Sequence, residues 1–158
     1  PEIFETLEAK FGPFNVDVAA SHDNALCHLY YTKEENALEM SWPRAVWCNP
    51  PYKNIEPWVD KGLDELAWGD ATSITYLLPN STCTKWFKKL WEHPYLSDVI
   101  FISGRLKFQG PHVHPDMKKA FAPQGSIVVH LKRQEYKFAK IELIDRSDLE
   151  EGVYGLDS

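Results

Sequence analysis

The chain has 158 residues and a formal net charge of −6, and 44% of its residues are hydrophobic and 25% charged. These proportions are those of one ordinary folded domain, so they exclude a largely disordered protein. No apolar run approaches the ~20 residues of a membrane-spanning helix, and the acidic, amphipathic first ten residues predict no signal peptide. Three cysteines without CxxC spacing predict reduced thiols and a cytoplasmic protein.

The charge is unevenly distributed along the chain. Residues 1–79 carry a net charge of −8, residues 80–140 carry +7 and residues 141–158 carry −5. A basic segment between two acidic ones favours local contact with a phosphate backbone, in spite of the negative total. The alternative is a solvated surface on which like charges cluster by chance.

Short helices and strands alternate in the first part of the chain. Apolar residues at helical spacing or in short runs mark these elements, and Gly12 ends the first helix. In chain order we predict a helix over 3–11, a strand over 14–20, a helix over 21–29 capped by Ser21 or Asp23, a strand over 30–32 and a turn over 35–40.

The remaining elements continue the alternation, which predicts βαβ units and a mostly parallel sheet with helices on both faces. We predict strands over 45–48, 73–78, 99–102 and 126–131, a helix over 55–66 capped by Asn54, a helix that buries Trp86 and Leu90 and is capped by Ser81 or Thr82, and a long loop over 103–124. No clear helix joins the last two strands, so we expect them to pair antiparallel at the edge of the sheet.

In open sheets of this type, ligands bind at the carboxyl ends of the strands. The two strongest early strands end in the segments Asp17 to Ser21 and Asn49 to Tyr52. We therefore expect the functional site to lie at these two strand ends.

The segment Asn49-Pro50-Pro51-Tyr52 forms a rigid turn after a buried strand. Its two prolines fix two φ angles and remove two N–H donors, so the turn offers carbonyl acceptors without competing donors. Asn49 adds an amide oxygen and Tyr52 an aromatic ring. This combination suits a flat substrate with an exocyclic amino group, although an ordinary Pro-Pro loop is the alternative.

Four segments in this order resemble the phage-type DNA N6-adenine methyltransferases, the small Dam-like enzymes of phages and prophages: residues 14–21, 47–52, 76–79 and 104–108. The resemblance covers about residues 1–132. It implies an α/β, Rossmann-like S-adenosylmethionine-dependent methyltransferase fold, reduced in size, with a mostly parallel sheet and an antiparallel edge strand. It also implies a phage- or prophage-encoded protein in the cytoplasm of a bacterial host.

Two regions are predicted on this basis. A methyltransferase domain spans residues 1–135, and a C-terminal extension spans residues 136–158. The extension is partly acidic, and we expect it to be flexible.

The resemblance implies that a methyl group passes directly, in line, from S-adenosylmethionine to N6 of a flipped-out adenine in double-stranded DNA. The implied catalytic residues are Asn49, Pro50, Pro51 and Tyr52. The Asn49 amide oxygen and the Pro50 carbonyl accept the two amino hydrogens, and the Tyr52 ring stacks on the base. The mechanism needs no metal, and the pair His112 and His114, which lacks a third ligand nearby, does not predict a metal site.

The candidate cofactor-binding residues are Pro1, Phe4, Asp17, Ala19, Ala20, Ser21, Glu34, Glu35 and Asn36. Pro1 and Phe4 match the end of a Thr-Pro motif whose threonine is missing, so we expect a trimmed N-terminus. The small residues after Asp17 replace a Gly-rich loop, and Asp17 itself either contacts the cofactor or caps the next helix. Glu34 or Glu35 is predicted to hold the ribose hydroxyls, the alternative being exposed loop residues.

The candidate DNA-binding residues are Arg105, Lys107, Lys118 and Lys119, which follow the fourth long strand. Their loop is short for a target-recognition domain, so a homodimer is a further expectation. The same turn also suits adenine in RNA or a glutamine amide in protein as methyl acceptor. Because the Gly-rich loop is absent, a catalytically degenerate, nucleic-acid-binding module of the same fold is a further alternative.

Overall fold

The computed structural model describes residues 2–106 and 124–150. In chain order its elements are α1 (Glu2–Phe11), β1 (Val16–Asp17), β2 (Leu29–Tyr30), a 3₁₀ turn (Ala37–Glu39), β3 (Arg44–Cys48), α2 (Glu56–Trp68), β4 (Ala71–Pro79), α3 (Lys85–Glu92), β5 (Leu96–Ser103), β6 (Ser126–Lys132), β7 (Lys140–Asp145) and α4 (Arg146–Glu150). Among these residues, no helix is long and apolar enough to cross a membrane.

The strands form one sheet in the order β2-β1-β3-β4-β6-β5-β7. β6 runs antiparallel to its neighbours β4 and β5, and the other neighbouring pairs are parallel. The predicted α/β fold with a mostly parallel sheet is therefore confirmed. The predicted edge position of the antiparallel strand is wrong, because β7 pairs with β5 and makes the edge, which leaves β6 inside the sheet.

Residues 140–150 extend this sheet. Glu142 of β7 forms an ion pair with Lys10 of α1, with 2.9 Å between Nζ and Oε1, and Leu149 of α4 is buried. Ile141 and Leu143 are 55% and 70% exposed, so one face of β7 has no cover among the described residues. The division into two regions at residue 135 stays a prediction.

Two apolar clusters cover the two faces of the sheet. On one face, α1 packs through Phe4 and Leu7 against Trp47. On the other face, α2 and α3 contribute Val59 and Leu90. The sheet is therefore a middle layer between helices, and its strand ends are free to form a site.

A buried histidine ties α1 to the sheet. The His130 Nδ1 lies 2.7 Å from the Thr75 hydroxyl on the neighbouring strand, and the Phe11 ring stacks on the imidazole at 3.9 Å. Burial lowers the pKa of His130 to about 4, so the ring is neutral at pH 7. The end of α1 is thus held over β6 without a buried charge.

The helix predicted over residues 21–29 is wrong, because the structure forms turns there. The Ser21 N–H donates to Asn24 Oδ1 at 2.7 Å, and the Leu26 N–H donates to the Asp17 carboxylate at 3.1 Å. Side chains thus take backbone donors that a helix would use, which favours a turn.

The predicted caps of the two longer helices are also wrong. α2 follows Ile55 instead of an Asn54 cap, and a proline in its first turn needs no hydrogen-bond donor there. α3 is capped by Thr84, whose Oγ1 accepts the backbone N–H three residues later at 3.3 Å, and not by Ser81 or Thr82.

Candidate active site

A cavity of about 620 Å³ lies at the carboxyl ends of β1, β2 and β3. Three segments that follow these strands and the first turn of α2 make its wall. The lining residues are 18–20 after β1, 31–33, 36 and 37 after β2, 49–52 after β3, and Trp58. Its size is in the range of sites that enclose a small organic ligand or cofactor.

Parallel pairing brings these segments together. Asp17 lies beside Tyr30 of β2 and Trp47 of β3. Beyond the strands, the Val18 N–H donates to the Trp47 carbonyl at 3.1 Å and the Ala20 N–H to the Tyr31 carbonyl at 3.0 Å. The three chain segments therefore leave the sheet side by side, and Ala19 and Ala20 share one cavity with the Asn-Pro-Pro-Tyr turn.

The Asn-Pro-Pro-Tyr turn forms one wall of the cavity. Asn49 is half-buried and Pro50 is buried, and the Asn54 N–H closes the turn by donating to the Pro51 carbonyl at 3.3 Å. Within residues 2–106 and 124–150, the Asn49 side-chain amide has no hydrogen-bond partner in the protein. It is therefore available to a ligand in the cavity.

Tyr52 lies at the end of the cavity that faces β6. Burial raises the pKa of Tyr52 to about 12, although hydrogen bonding with Ser126, the first residue of β6, acts in the opposite direction. The phenol is therefore protonated near neutral pH, with its hydroxyl buried and its ring in the cavity wall. The aromatic surface that the sequence predicts beside Asn49 has this position.

The other end of the cavity lies between α2 and the 3₁₀ turn. The fully buried Trp42 donates its indole N–H to the Ala37 carbonyl at 2.9 Å, and its ring centroid lies 6.1 Å from that of Trp58. Asn36 also lines this end and has a φ of 55°, a left-handed conformation that asparagine tolerates.

Sequence reasoning did not select Tyr31, Thr32, Lys33 or Trp58 as site residues, although all four line the cavity. Helical spacing assigned Trp58 to the buried face of a helix. The available signal was its position in the first helical turn after a strand end, where ligands bind in open sheets.

The predicted acidic ribose ligands lie away from the cavity wall. Glu34 is exposed, and the Glu35 carboxylate accepts the backbone N–H and the hydroxyl of Thr32 at 3.0 and 3.1 Å. Glu35 thus stabilises the turn after β2. Among the described residues, Lys33 is the one charged residue that lines the cavity.

Asp17 is buried beneath the strand end instead of facing the cavity. Its carboxylate accepts the Ala19 and Leu26 N–H groups at 3.3 and 3.1 Å, and burial raises its pKa despite these bonds. Ser21 is half-buried beyond the residues that line the cavity. Ala19 and Ala20 are therefore the members of this segment that reach the cavity.

Phe4 lies in the core under α1, with its ring 5.3 Å from that of Trp47 in an edge-to-face contact. It does not line the cavity. Pro1 lies outside the described residues. The N-terminal cofactor contacts expected from the sequence thus stay predictions.

Arg105 is exposed directly after β5. Because β5 runs parallel to β3, Arg105 lies at the same edge of the sheet as the cavity. Three strand spacings separate β3 from β5, or about 14 Å. The other DNA-binding candidates, Lys107, Lys118 and Lys119, lie outside the described residues.

The remaining cations of the basic segment do not form one surface. Arg133 donates to the carbonyls of Leu66 and Gly69, each at 2.8 Å, and so caps the end of α2. Lys89 pairs with Asp60 at 2.8 Å. Among the described cations of this segment, Arg105 is therefore the strongest candidate for contact with a polyanion near the cavity.

A mostly parallel sheet between helices, with a cavity where an Asn-Pro-Pro-Tyr turn meets a strand end of small residues, defines a Rossmann-like methyltransferase fold. The sequence profile described as DNA N-6-adenine-methyltransferase (Dam) matches residues 1–154. The chain belongs to this family.

Two phage proteins, each named DNA N-6-adenine-methyltransferase, are similar to the chain. The protein of Escherichia phage T1 is 31% identical over 107 residues, which are 66% of this chain and 43% of that protein. The protein of Haemophilus phage HP1 is 32% identical over 87 residues, 54% of this chain and 50% of that protein. The chain thus spans about half the length of these curated relatives.

Proposed function

We propose that this chain transfers a methyl group from S-adenosylmethionine to N6 of adenine in double-stranded DNA. The observation that carries the proposal is the Asn49 amide, which lines a cavity beside Ala19 and Ala20 and has no partner among the described residues. Family membership and the names of the two phage proteins support the same reaction. A phage- or prophage-encoded enzyme of this kind acts in the cytoplasm of the host, and a homodimer stays a prediction.

The cavity suits an adenosyl cofactor. Small side chains at Ala19 and Ala20 let a ligand approach the backbone, and the volume of about 620 Å³ fits a molecule of this size. When bound, S-adenosylmethionine supplies an electrophilic methyl group on a positively charged sulfur. Since no carboxylate among the described residues lines the cavity, we assign the ribose hydroxyls to the neutral groups of Asn36 and Thr32.

The Asn49 turn prepares the amine for attack. The lone pair of an exocyclic adenine amine is delocalised into the ring, which makes this nitrogen a poor nucleophile. The Asn49 amide oxygen and the Pro50 carbonyl accept its two hydrogens, which favours a tetrahedral nitrogen with a localised lone pair. Catalysis then comes from positioning and fixed dipoles and needs no strong base, because the methylated amine loses its proton readily.

Tyr52 receives the target base. The amine is inaccessible inside a duplex, so the nucleotide turns out of the helix at a cost of a few kcal/mol. Stacking on an aromatic ring stabilises a base by about 1–3 kcal/mol and offsets much of this cost. The Tyr52 hydroxyl is buried toward Ser126, which anchors the ring for this contact.

The direct test is transfer of label from tritiated S-adenosylmethionine to DNA, RNA and protein in parallel, with and without an N-terminally extended chain. We expect label in DNA as N6-methyladenine, and a rise of about 2.7 kcal/mol in unfolding free energy at 100 times the cofactor's Kd. Label in RNA or in a glutamine amide would support the other acceptors instead. Nucleic-acid binding without cofactor binding would support the degenerate module.

Charge reversal at Arg105 is expected to weaken DNA binding and flatten its salt dependence without changing cofactor affinity. Each phosphate contact that is lost lowers the slope of log K against log salt by about 0.9. The measurement is DNA affinity of Arg105→Glu between 50 and 200 mM salt, a range of about fourfold. Lys137→Glu is the control, because Lys137 is exposed just before β7, at the opposite edge of the sheet. Equal slopes for Arg105→Glu and the unmodified chain would show that Arg105 does not face DNA.

A further inference from the structure

The cavity has two aromatic ends, on either side of Asn49. At one end, Tyr52 faces Ser126 of β6. At the other end, Trp58 lies beside Trp42, near the 3₁₀ turn that follows β2. The proposed mechanism uses the Tyr52 end for the target base and leaves Trp58 without a role.

Trp58 is held in place from two sides. The Tyr76 hydroxyl, which is fully buried, donates to the Trp58 backbone carbonyl at 2.7 Å. The Trp42 ring lies at 31° to the Trp58 ring, and Trp42 is fixed in turn by its bond to the Ala37 carbonyl. A half-buried indole that cannot move away offers a preorganised surface to a ligand.

The surroundings of Trp58 suit a flat, uncharged ring. Ala37 is small and apolar, and Asn36 beside it supplies an amide for ring nitrogens or an amino group. No carboxylate among the described residues lines the cavity, so this end does not select for positive charge. A purine between an indole and a short apolar segment gains stacking and apolar burial together.

We infer that Trp58 is a binding residue that stacks on the adenine ring of the cofactor. This inference rests on the proposed use of an adenosyl cofactor. The adenine then occupies the end of the cavity between Trp58 and Asn36, and the rest of the cofactor extends toward Asn49. The two aromatic residues thus hold two different adenines, Trp58 that of the cofactor and Tyr52 that of the target.

The test compares an aromatic with an aliphatic replacement, since both keep an apolar side chain beside Trp42. Trp58→Phe is expected to bind adenosine, S-adenosylhomocysteine and S-adenosylmethionine within about threefold of the unmodified chain, and Trp58→Leu about tenfold more weakly. Isothermal titration calorimetry gives the three affinities, and thermal melting checks the fold. Trp68→Leu is the matched control, because Trp68 lies on the same helix and is 90% exposed.

The three ligands separate the possible results. Equal loss for all three in Trp58→Leu supports stacking on adenine, because all three contain that ring. Loss for S-adenosylmethionine alone would overturn the inference, since it would place Trp58 against the charged sulfur. Unchanged affinities in folded Trp58→Leu, or equal losses in Trp58→Phe and Trp58→Leu, would also overturn it. If the unmodified chain bound none of the three ligands, the proposed function itself would fail.

Discussion

Asn49→Ala is expected to slow methyl transfer by at least about 100-fold while the fold and cofactor affinity survive. The substitution removes one of two acceptors for the target amine and leaves the Pro50-Pro51 turn in place. Loss of one preorganised hydrogen-bonding group at a reacting centre costs about 100- to 1,000-fold in rate. The Asn49 side chain has no partner among the described residues, so its loss leaves no buried group there unpaired.

Single-turnover methylation of an adenine-containing duplex measures this effect, with the product identified as N6-methyladenine by mass spectrometry. Asn49→Asp is expected to retain part of the activity, because a carboxylate still accepts a hydrogen bond. Asn54→Ala is the matched control, since Asn54 is an exposed asparagine at the other end of the same turn. Transfer by Asn49→Ala at nearly the unmodified rate would rule out the mechanism.

The central strands and the position of the cavity were predictable because long apolar runs bury them whatever the details of neighbouring loops. β3 and β4 contain such runs, and both extend only a few residues beyond their predicted limits. Parallel strands then place their carboxyl ends together, so the meeting of the Asn49 turn with Ala19 and Ala20 follows from topology alone.

Hydrogen-bonding choices within loops were not predictable in the same way. Asp17 and Glu35 each bind nearby backbone N–H groups, whereas sequence spacing alone makes them equally suited to a cofactor. β7 was missed as a sheet edge because Ile141 and Leu143 alternate only weakly with polar residues and stay exposed. Trp58 was missed because the same helical spacing describes a core residue and a cavity wall.

Gly62→Ala is expected to destabilise the chain by about 2 kcal/mol net, although alanine is the better helix former. A Cβ at Gly62 of α2 would lie 1.9 Å from the Tyr76 hydroxyl oxygen and 2.8 Å from Ile74 Cδ1. Both neighbours are fully buried, so relieving the overlap shifts packed atoms, at a cost of about 3 kcal/mol. The gain in helix propensity recovers only about 1 kcal/mol.

Tyr76→Phe separates this clash from other effects of the added methyl group. Alone, it removes the hydrogen bond to the Trp58 carbonyl and is expected to cost about 1 kcal/mol. In the Tyr76→Phe background, Gly62→Ala is expected to cost at least about 1 kcal/mol less than in the unmodified chain, because the nearest overlapping atom is gone. Urea unfolding of the four proteins measures this coupling, and strictly additive costs would show that the hydroxyl is not what excludes a side chain at Gly62. Since the same hydroxyl anchors Trp58, Gly62→Ala is also expected to weaken adenosine binding, by an amount that calorimetry on the folded variant measures directly.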